Sequence, residues 1–338
     1  MEVQKMKKIL MITTGGTIAS VEKDDGLQPL LSPEELLKYV PKVRSVCEVE
    51  ALQAMNIDST NMSPDNWLTI VAAIKNNYDR YDGFVICHGT DTMAYTACVL
   101  SYMIQHSPKP IVITGSQRPI NREETDAKAN LYDAFVYASS EAAADVTLVF
   151  DGKVIAGTRA KKTRTKSYDA FSSIDFPFLA TVRDGKVLQY IKTEKALKPR
   201  FYDTLNPKVG LIKLTPGMQS EILNSYFMYN DAVVVSSYGT GGIPVGNYYN
   251  FYEIIKKWRA KGKICVMSTQ VQSEGSDMSI YKVGTEAKSE LGFLEAFDMT
   301  QEAALTKLMW ILGQTEKPTE VRKMFYETVN YDILLTEK

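Results

Sequence analysis

The chain of 338 residues is 45% apolar and 23% charged, with a formal net charge of −1. That allows two domains, or one large one, with ordinary hydrophobic cores and offers no basic excess for nucleic acid or an anionic membrane surface. Its four cysteines, Cys47, Cys87, Cys98 and Cys265, lie far apart without Cys-x-x-Cys or Cys/His ligand spacing, which argues against a zinc site or disulfide framework and for a reducing, cytoplasmic compartment.

Basic residues precede the apolar Ile9–Ile12, but the run stops at Thr13-Thr14-Gly15-Gly16. That is too short for a secretory signal, so a first strand is predicted over 8–12. No stretch approaches the roughly 18 consecutive apolar residues of a membrane helix. Ser63-Pro64 opens a helix as N-cap and first helical residue, with Trp67, Ile70, Val71 and Ile74 on its apolar face. Further strands are predicted over 83–87, 110–114, 146–150, 209–214, 232–236 and 263–268. Most are near-continuously apolar, as parallel strands covered on both faces are. Helices are predicted over 92–105, 126–139, 249–260 and 301–312. This alternation predicts an α/β doubly wound sheet, in which ligands sit beyond the C-terminal strand ends. The rhythm breaks between Asp184 and Pro207 and restarts at Val209. The expected organisation is an N-terminal domain over 1–190, a linker over 191–207 and a smaller C-terminal domain over 208–338.

The chain has only two histidines, His88 and His106. His106 reads as an exposed turn after a helix. His88 ends a strand and reads as a residue that holds its loop by hydrogen bonds. A hydrolase here must then find its base elsewhere, among lysines or tyrosines. Thr17 follows Gly15-Gly16, a pair that lets the backbone turn sharply and bring N–H groups close to a ligand. A phosphate-cradling role is the weaker reading, since no Gly-Lys-Ser/Thr follows and there is no GxGxxG. Gly239-Thr240-Gly241-Gly242 leads into Ile243-Pro244 and not into a helix start, so it is no dinucleotide loop.

Thr90-Asp91 sits in a turn before a helix. Its simplest role is capping, yet Asp58-Ser59-Thr60 forms a second dense polar cluster in an equivalent position. Asp, Ser and Thr groups converging on one pocket suit a zwitterionic amino acid. Five basic residues, Arg159, Lys161, Lys162, Arg164 and Lys166, read mostly as a solvated face. One lysine turned inward beside Asp91 would suit proton transfer.

The segments Thr14–Ser20 (TGGTIAS) and His88–Tyr95 (HGTDTMAY), together with Asp58-Ser59-Thr60 and the basic loop, resemble the signature of bacterial and archaeal L-asparaginases, particularly the cytoplasmic type I branch. The resemblance runs over essentially the whole chain, including Tyr81–Val85, Ile113–Gln117, Tyr168–Phe171, Ser237–Gly239 and Asp298–Thr300. It implies a larger Rossmann-like N-terminal domain with a mostly parallel sheet plus a smaller C-terminal α/β domain. It also implies hydrolysis of L-asparagine to L-aspartate and ammonia without metal or cofactor. By the same resemblance Thr17 is the nucleophile, and Thr90, Asp91 and Lys162 form a second catalytic set. Lys162 is preferred to Lys161 on its spacing from Gly157. Asp58, Ser59, Thr60, Thr90 and Asp91 would bind substrate.

Backbone N–H groups near Thr90 would stabilise the oxyanion, and the stretch 17–31 would close as a lid. Family members assemble as homodimers or homotetramers (dimers of dimers), with a neighbouring C-terminal domain closing each site. Two positions depart from the pattern. Leu27 stands where many members carry a lid tyrosine, and Ser236 and Val271 stand where some carry the arginine and cysteine of an allosteric site. The second departure implies no such allostery.

Other readings are a glutaminase-asparaginase, or the amidotransferase subunit that releases ammonia from glutamine. The latter usually carries an N-terminal β-domain, and a first strand within ten residues argues against one. A non-catalytic amino-acid sensor would have lost Thr17, Thr90, Asp91 or Lys162, and all four are present. A hydride-transfer enzyme lacks its glycine fingerprint.

Overall fold

The computed structural model describes residues 6–23, 26–193, 195, 197–244, 250–280 and 292–334. The chain divides into two compact units, Met1–Asp203 and Thr204–Lys338.

In the first unit the apolar run after Lys8 becomes β1 (Lys8–Gly15), followed by the hairpin β2 (Ser20–Lys23) and β3 (Gly26–Pro29). Helix α1 (Pro33–Lys38) starts at a capping box, in which Ser32 accepts from the Glu35 N–H and Glu35 accepts from the Ser32 N–H. The chain continues through β4 (Glu48–Ile57) and α2 (Pro64–Asn77), whose N-cap is Ser63 and whose buried face is Trp67, Ile70, Val71 and Ile74. Next come β5 (Gly83–Cys87), α3 (Met93–Met103), β6 (Ile104–Gln105), β7 (Ile111–Thr114) and α4 (Ala127–Ala138). The unit ends with β8 (Val146–Phe150), β9 (Lys153–Ala156), β10 (Ala160–Lys162), β11 (Phe171–Ser173), β12 (Ala180–Arg183), β13 (Lys186–Gln189) and β14 (Arg200–Phe201).

Eight strands form one sheet in the order β13-β12-β9-β8-β7-β5-β1-β4. The pairs from β4 to β8 are all parallel, and β5, β7 and β8 are buried throughout. That is why these strands read as unbroken apolar runs. Beyond β8 the sheet turns antiparallel, because Asp151-Gly152 and Asp184-Gly185 adopt positive φ at both residues and close tight hairpins. Strand β14 pairs with β6, so Arg200 and Phe201 are part of this unit.

The second unit holds a four-stranded parallel sheet, β15 (Val209–Lys213), β16 (Ala232–Ser237), β17 (Ile264–Thr269) and β18 (Leu294–Glu295). Helices α5 (Ser220–Tyr229) and α6 (Phe251–Arg259) pack Leu223, Phe227, Phe251 and Ile255 against Val233, Val235, Cys265 and Met267. Residue 249, where the predicted helix begins, lies outside the described residues. Helices α7 (Gln301–Gln314) and α8 (Pro318–Tyr326) complete the unit. The result is the expected α/β architecture, a larger unit with a mostly parallel sheet followed by a smaller α/β unit.

Candidate active site

Parallel pairing of β4, β1, β5 and β7 sends the loops after these strands to one edge of the sheet. Register does the fine placement, with Thr13 opposite Cys87 and Gly15 opposite Ile57. Gly15 and Gly16 take φ of 97° and 79°, a backbone conformation that side chains with a Cβ rarely adopt. Gly16 donates to the Ile57 carbonyl at 3.0 Å. The turn ends in a short 3-10 helix, Thr17–Ala19, where Ser20 Oγ donates to the Gly16 carbonyl at 2.9 Å. Thr17 is thereby presented, half-buried, at the end of β1.

The loops after β1, β4 and β5 touch through their smallest residues. A Cβ on Gly16 would lie 2.4 Å from the Gly89 Cα, and one on Gly89 would lie 2.6 Å from Ser59 Oγ. Thr92 Oγ1 donates to the Ser59 carbonyl at 2.8 Å. Ser59 is buried, while Asp58 and Thr60 are exposed. Asp58 Oδ1 accepts from both the backbone N–H and the hydroxyl of Thr60 at 2.9 Å, so these two side chains shape the turn that carries Ser59.

Thr90 is 5% exposed. Lys162 Nζ donates to Thr90 Oγ1 and to Asp91 Oδ1, each at 2.7 Å. Strand β10 delivers Lys162 across the sheet edge through its hairpin with β11, where Lys162 stands opposite Phe171. The Thr90 hydroxyl donates in turn to Gln117 Oε1 at 3.3 Å. Gln117 is held from behind: its side-chain amide donates to the Ser167 carbonyl at 3.1 Å, and its backbone N–H donates to Asp126 at 2.9 Å. Burial raises the Asp126 carboxyl above its usual range. Gln117 and Asp126 had only a weak signal, a polar Ser-Gln pair after a strand and a carboxylate before a helix.

The basic run divides by position. Arg164 and Lys166 are exposed, and Lys161 and Lys162 are half-buried. Arg159, expected in a solvated face, is instead fully buried, donating to the Ile174 carbonyl at 3.4 Å with its guanidinium over the Phe176 ring. The Ile174 N–H also bonds to the Arg159 carbonyl at 2.9 Å, so the backbone after β11 meets that before β10. His88 is completely buried and bonded at both ring nitrogens, as its loop-holding role requires. His106 is exposed.

The stretch expected to act as a lid contains the β2–β3 hairpin, tied to the body by the Arg122–Glu22 ion pair at 2.7 Å and by Asn56, which donates to the Pro29 carbonyl. Residues 24 and 25 of this stretch, and the Leu27 side chain, lie outside the described residues. Among the described residues no cluster of His, Cys, Asp or Glu is arranged to hold a metal ion, and no helix is long and apolar enough to cross a membrane.

Residues 8–195 match the family domain described as Asparaginase, N-terminal, and residues 208–325 match the Glutaminase/Asparaginase C-terminal domain. The L-asparaginase of Thermococcus kodakarensis is 39% identical over 328 residues, covering 96% of this chain and 99% of that protein. The solved structure of the thermostable L-asparaginase from that organism superposes with a TM-score of 0.92 at 38% identity, over 97% of this chain and 100% of that one. L-asparaginase 1 of Escherichia coli K12 is 31% identical over 341 residues, covering 97% of this chain and 98% of that protein. A glutamyl-tRNA(Gln) amidotransferase component from Metallosphaera sedula is 33% identical, over 94% of this chain and 74% of that protein. Likeness on this scale, in both domains and nearly end to end, places the chain in the asparaginase family.

Proposed function

We propose that this protein is an L-asparaginase that hydrolyses L-asparagine to L-aspartate and ammonia through an acyl-enzyme on Thr17. The observation that carries the reading is Lys162 Nζ, bonded at 2.7 Å to both Thr90 Oγ1 and Asp91 Oδ1 on a loop packed against the glycine beside Thr17. A threonine hydroxyl is a weak nucleophile unless a neighbouring group takes its proton. With leucine at position 27, the lid supplies no tyrosine there for that task, and the proposal assigns proton movement to Thr90 and Lys162, with Asp91 holding the lysine.

Thr17 Oγ1 attacks the side-chain amide carbon, the C–N bond breaks, and the amide nitrogen leaves as ammonia after gaining the threonine proton. Water then attacks the ester, restoring the Thr17 hydroxyl and releasing aspartate. Backbone N–H groups near Thr90 stabilise the oxyanion, an interaction worth about 3 kcal/mol per well-aimed donor. Asp58, Ser59, Thr60, Thr90 and Asp91 are the proposed substrate contacts. The Asp58–Thr60 bonds also shape the turn that presents Ser59.

The test is ammonia release from L-asparagine and L-glutamine by the parent, Thr17→Ala and Thr90→Ala. The reading expects a preference for asparagine, and near-complete loss of turnover in both variants while they stay folded. A parent that releases ammonia from glutamine far faster than from asparagine favours the amidotransferase-like reading, which the likeness to the Metallosphaera sedula protein supports. A parent that releases none, yet melts at a higher temperature with asparagine, is a sensor. We also propose a homodimer or homotetramer in the cytoplasm. Four buried cysteines, none of them in a disulfide, support the compartment, and light scattering tests the assembly.

A further inference from the structure

His88 is an unusual side chain to find completely buried at the end of a central strand. Its Nδ1 lies 2.7 Å from the carbonyl oxygen of the next residue, Gly89. A carbonyl only accepts, so Nδ1 carries the proton, and the neutral ring leaves Nε2 as an acceptor. Thr96 Oγ1 lies 2.9 Å from Nε2 and itself accepts from Trp67 Nε1 at 2.9 Å. The hydroxyl therefore donates to Nε2. The chain Trp67 to Thr96 to His88 to Gly89 runs in one direction and fixes the tautomer. Burial pushes the imidazole down to about 4, which keeps it neutral.

The carbonyl that His88 holds belongs to the Gly89–Thr90 peptide. That peptide is trans, so its C=O and N–H point in opposite directions. Drawing the Gly89 oxygen onto the buried ring turns the Thr90 N–H away from the ring and the core behind it. Among the described residues no acceptor takes that N–H, although Thr90 is buried. A backbone donor without a protein partner, on the loop packed against the glycine beside Thr17, is open to a bound group. We propose that His88 is a positioning residue of the reaction: through the Gly89 carbonyl it aims the Thr90 N–H at the oxyanion formed when Thr17 attacks the amide. This rests on the asparaginase reading and adds to it the group that orients the donor.

Two near-isosteres separate this role from simple loop support. The Asn side-chain nitrogen reaches about where Nδ1 lies and donates as it does, and the Gln amide reaches about where Nε2 lies and offers Oε1 there as the acceptor. His88→Asn keeps the donor to Gly89 and loses the Thr96 contact, whereas His88→Gln does the reverse. For His88→Gln the expected result is a kcat about 100-fold below the parent with KM within about threefold, as for a misaimed oxyanion donor. For His88→Asn it is a kcat within about fivefold, whatever the change in melting temperature. A His88→Gln kcat within threefold of the parent, or equal losses in both variants, overturns the proposal.

The Thr90 amide resonance on addition of L-aspartate gives a second readout, independent of whether His88→Asn folds. The expectation is a downfield shift in the parent that is absent in His88→Gln, and the same shift in both overturns the proposal. A parent that releases no ammonia from asparagine refutes the underlying asparaginase reading, whereas an active parent with an unaffected His88→Gln refutes the positioning role alone.

Discussion

Gly16 and Gly89 meet backbone to backbone: a Cβ on Gly16 would stand 2.4 Å from the Gly89 Cα and 2.5 Å from its nitrogen. This contact joins the loop carrying Thr17 to the loop carrying Thr90. It leaves a side chain at position 16 nowhere to go, since the obstructing atoms are main chain and the φ of 79° is itself strained for any residue with a Cβ. Gly16→Ala should lower stability by about 2–4 kcal/mol, combining overpacking with backbone strain, and reduce kcat at least 100-fold because the loops must part. Urea unfolding and steady-state ammonia release check both. A folded Gly16→Ala protein with parental kcat would show that the two loops work independently.

The Lys162–Asp91 pair is short, but the Asp91 side chain is 58% exposed. Such pairs contribute about 0–1 kcal/mol to stability, whereas a proton-transferring group contributes about 100- to 10,000-fold to rate. Lys162→Met should therefore lose at least 100-fold in kcat with a melting temperature within a few degrees of the parent. Asp91→Asn should fall in the same direction, by less if its task is only to hold the lysine. Thermal melts beside kcat measurements decide the matter, and parallel losses of stability and rate would assign the pair to the scaffold.

Buried His88 and half-buried Asp133 pull the stability profile in opposite directions with pH. Burial lowers His88 from 6.5 to about 4. Its contribution is complete above about pH 6.5 and lost as pH falls toward 4, a change of about 3 kcal/mol. Burial, with Asp151 nearby, raises Asp133 from 3.8 to about 6. The Asp133 carboxyl is tolerated below pH 4 and destabilises as pH rises through 6. Asp133→Asn should thus gain about 1–2 kcal/mol at pH 7.5, after discounting for partial solvent screening, and nothing at pH 4. It should also leave a protein whose stability falls more steeply on acidification. Urea midpoints at the two pH values test this, and an equal gain at both would exclude titration as the cause.

In the second unit Lys307 and Asp332 form an ion pair of 2.7 Å with both side chains fully buried. Lys307 Nζ also donates to the Glu327 carbonyl at 2.7 Å, and Asp332 accepts from the Val329 N–H at 2.9 Å. These bonds fasten α7 to the segment after α8. Removing one partner leaves a buried charge unpaired, so Asp332→Ala should cost about 3–5 kcal/mol, and Lys307→Met with Asp332→Leu together should cost much less. Denaturant melts of Lys307→Met, Asp332→Leu and the double variant form the double-mutant cycle, and additive losses would show that the pair is uncoupled.

The sequence by itself determined the parts of this protein governed by local pattern. Fully buried parallel strands need apolar side chains on both faces, so β5, β7 and β8 are legible as unbroken runs. Ser63-Pro64 marks the start of α2 for an equally local reason. The threonine loops were legible because a turn that presents a hydroxyl at a strand end needs glycine at defined places. Even the antiparallel tail of the sheet is written in Asp151-Gly152 and Asp184-Gly185, signals easily passed over in a chain dominated by βα units.

Only the tertiary structure decided which polar residues meet. Lys161 and Lys162 are neighbours in a basic run, and strand alternation turns one of them toward Thr90 and Asp91. Asp58 and Thr60 flank Ser59 in sequence, yet their side chains bond to each other while Ser59 packs beside Gly89. Arg159 carries the same charge as Arg164, but it lies in the core with its guanidinium against the Ile174 carbonyl and the Phe176 ring. Gln117 reaches Thr90 from 27 residues away. These outcomes depend on register and on which loops share a sheet edge, and no local pattern of residues encodes them.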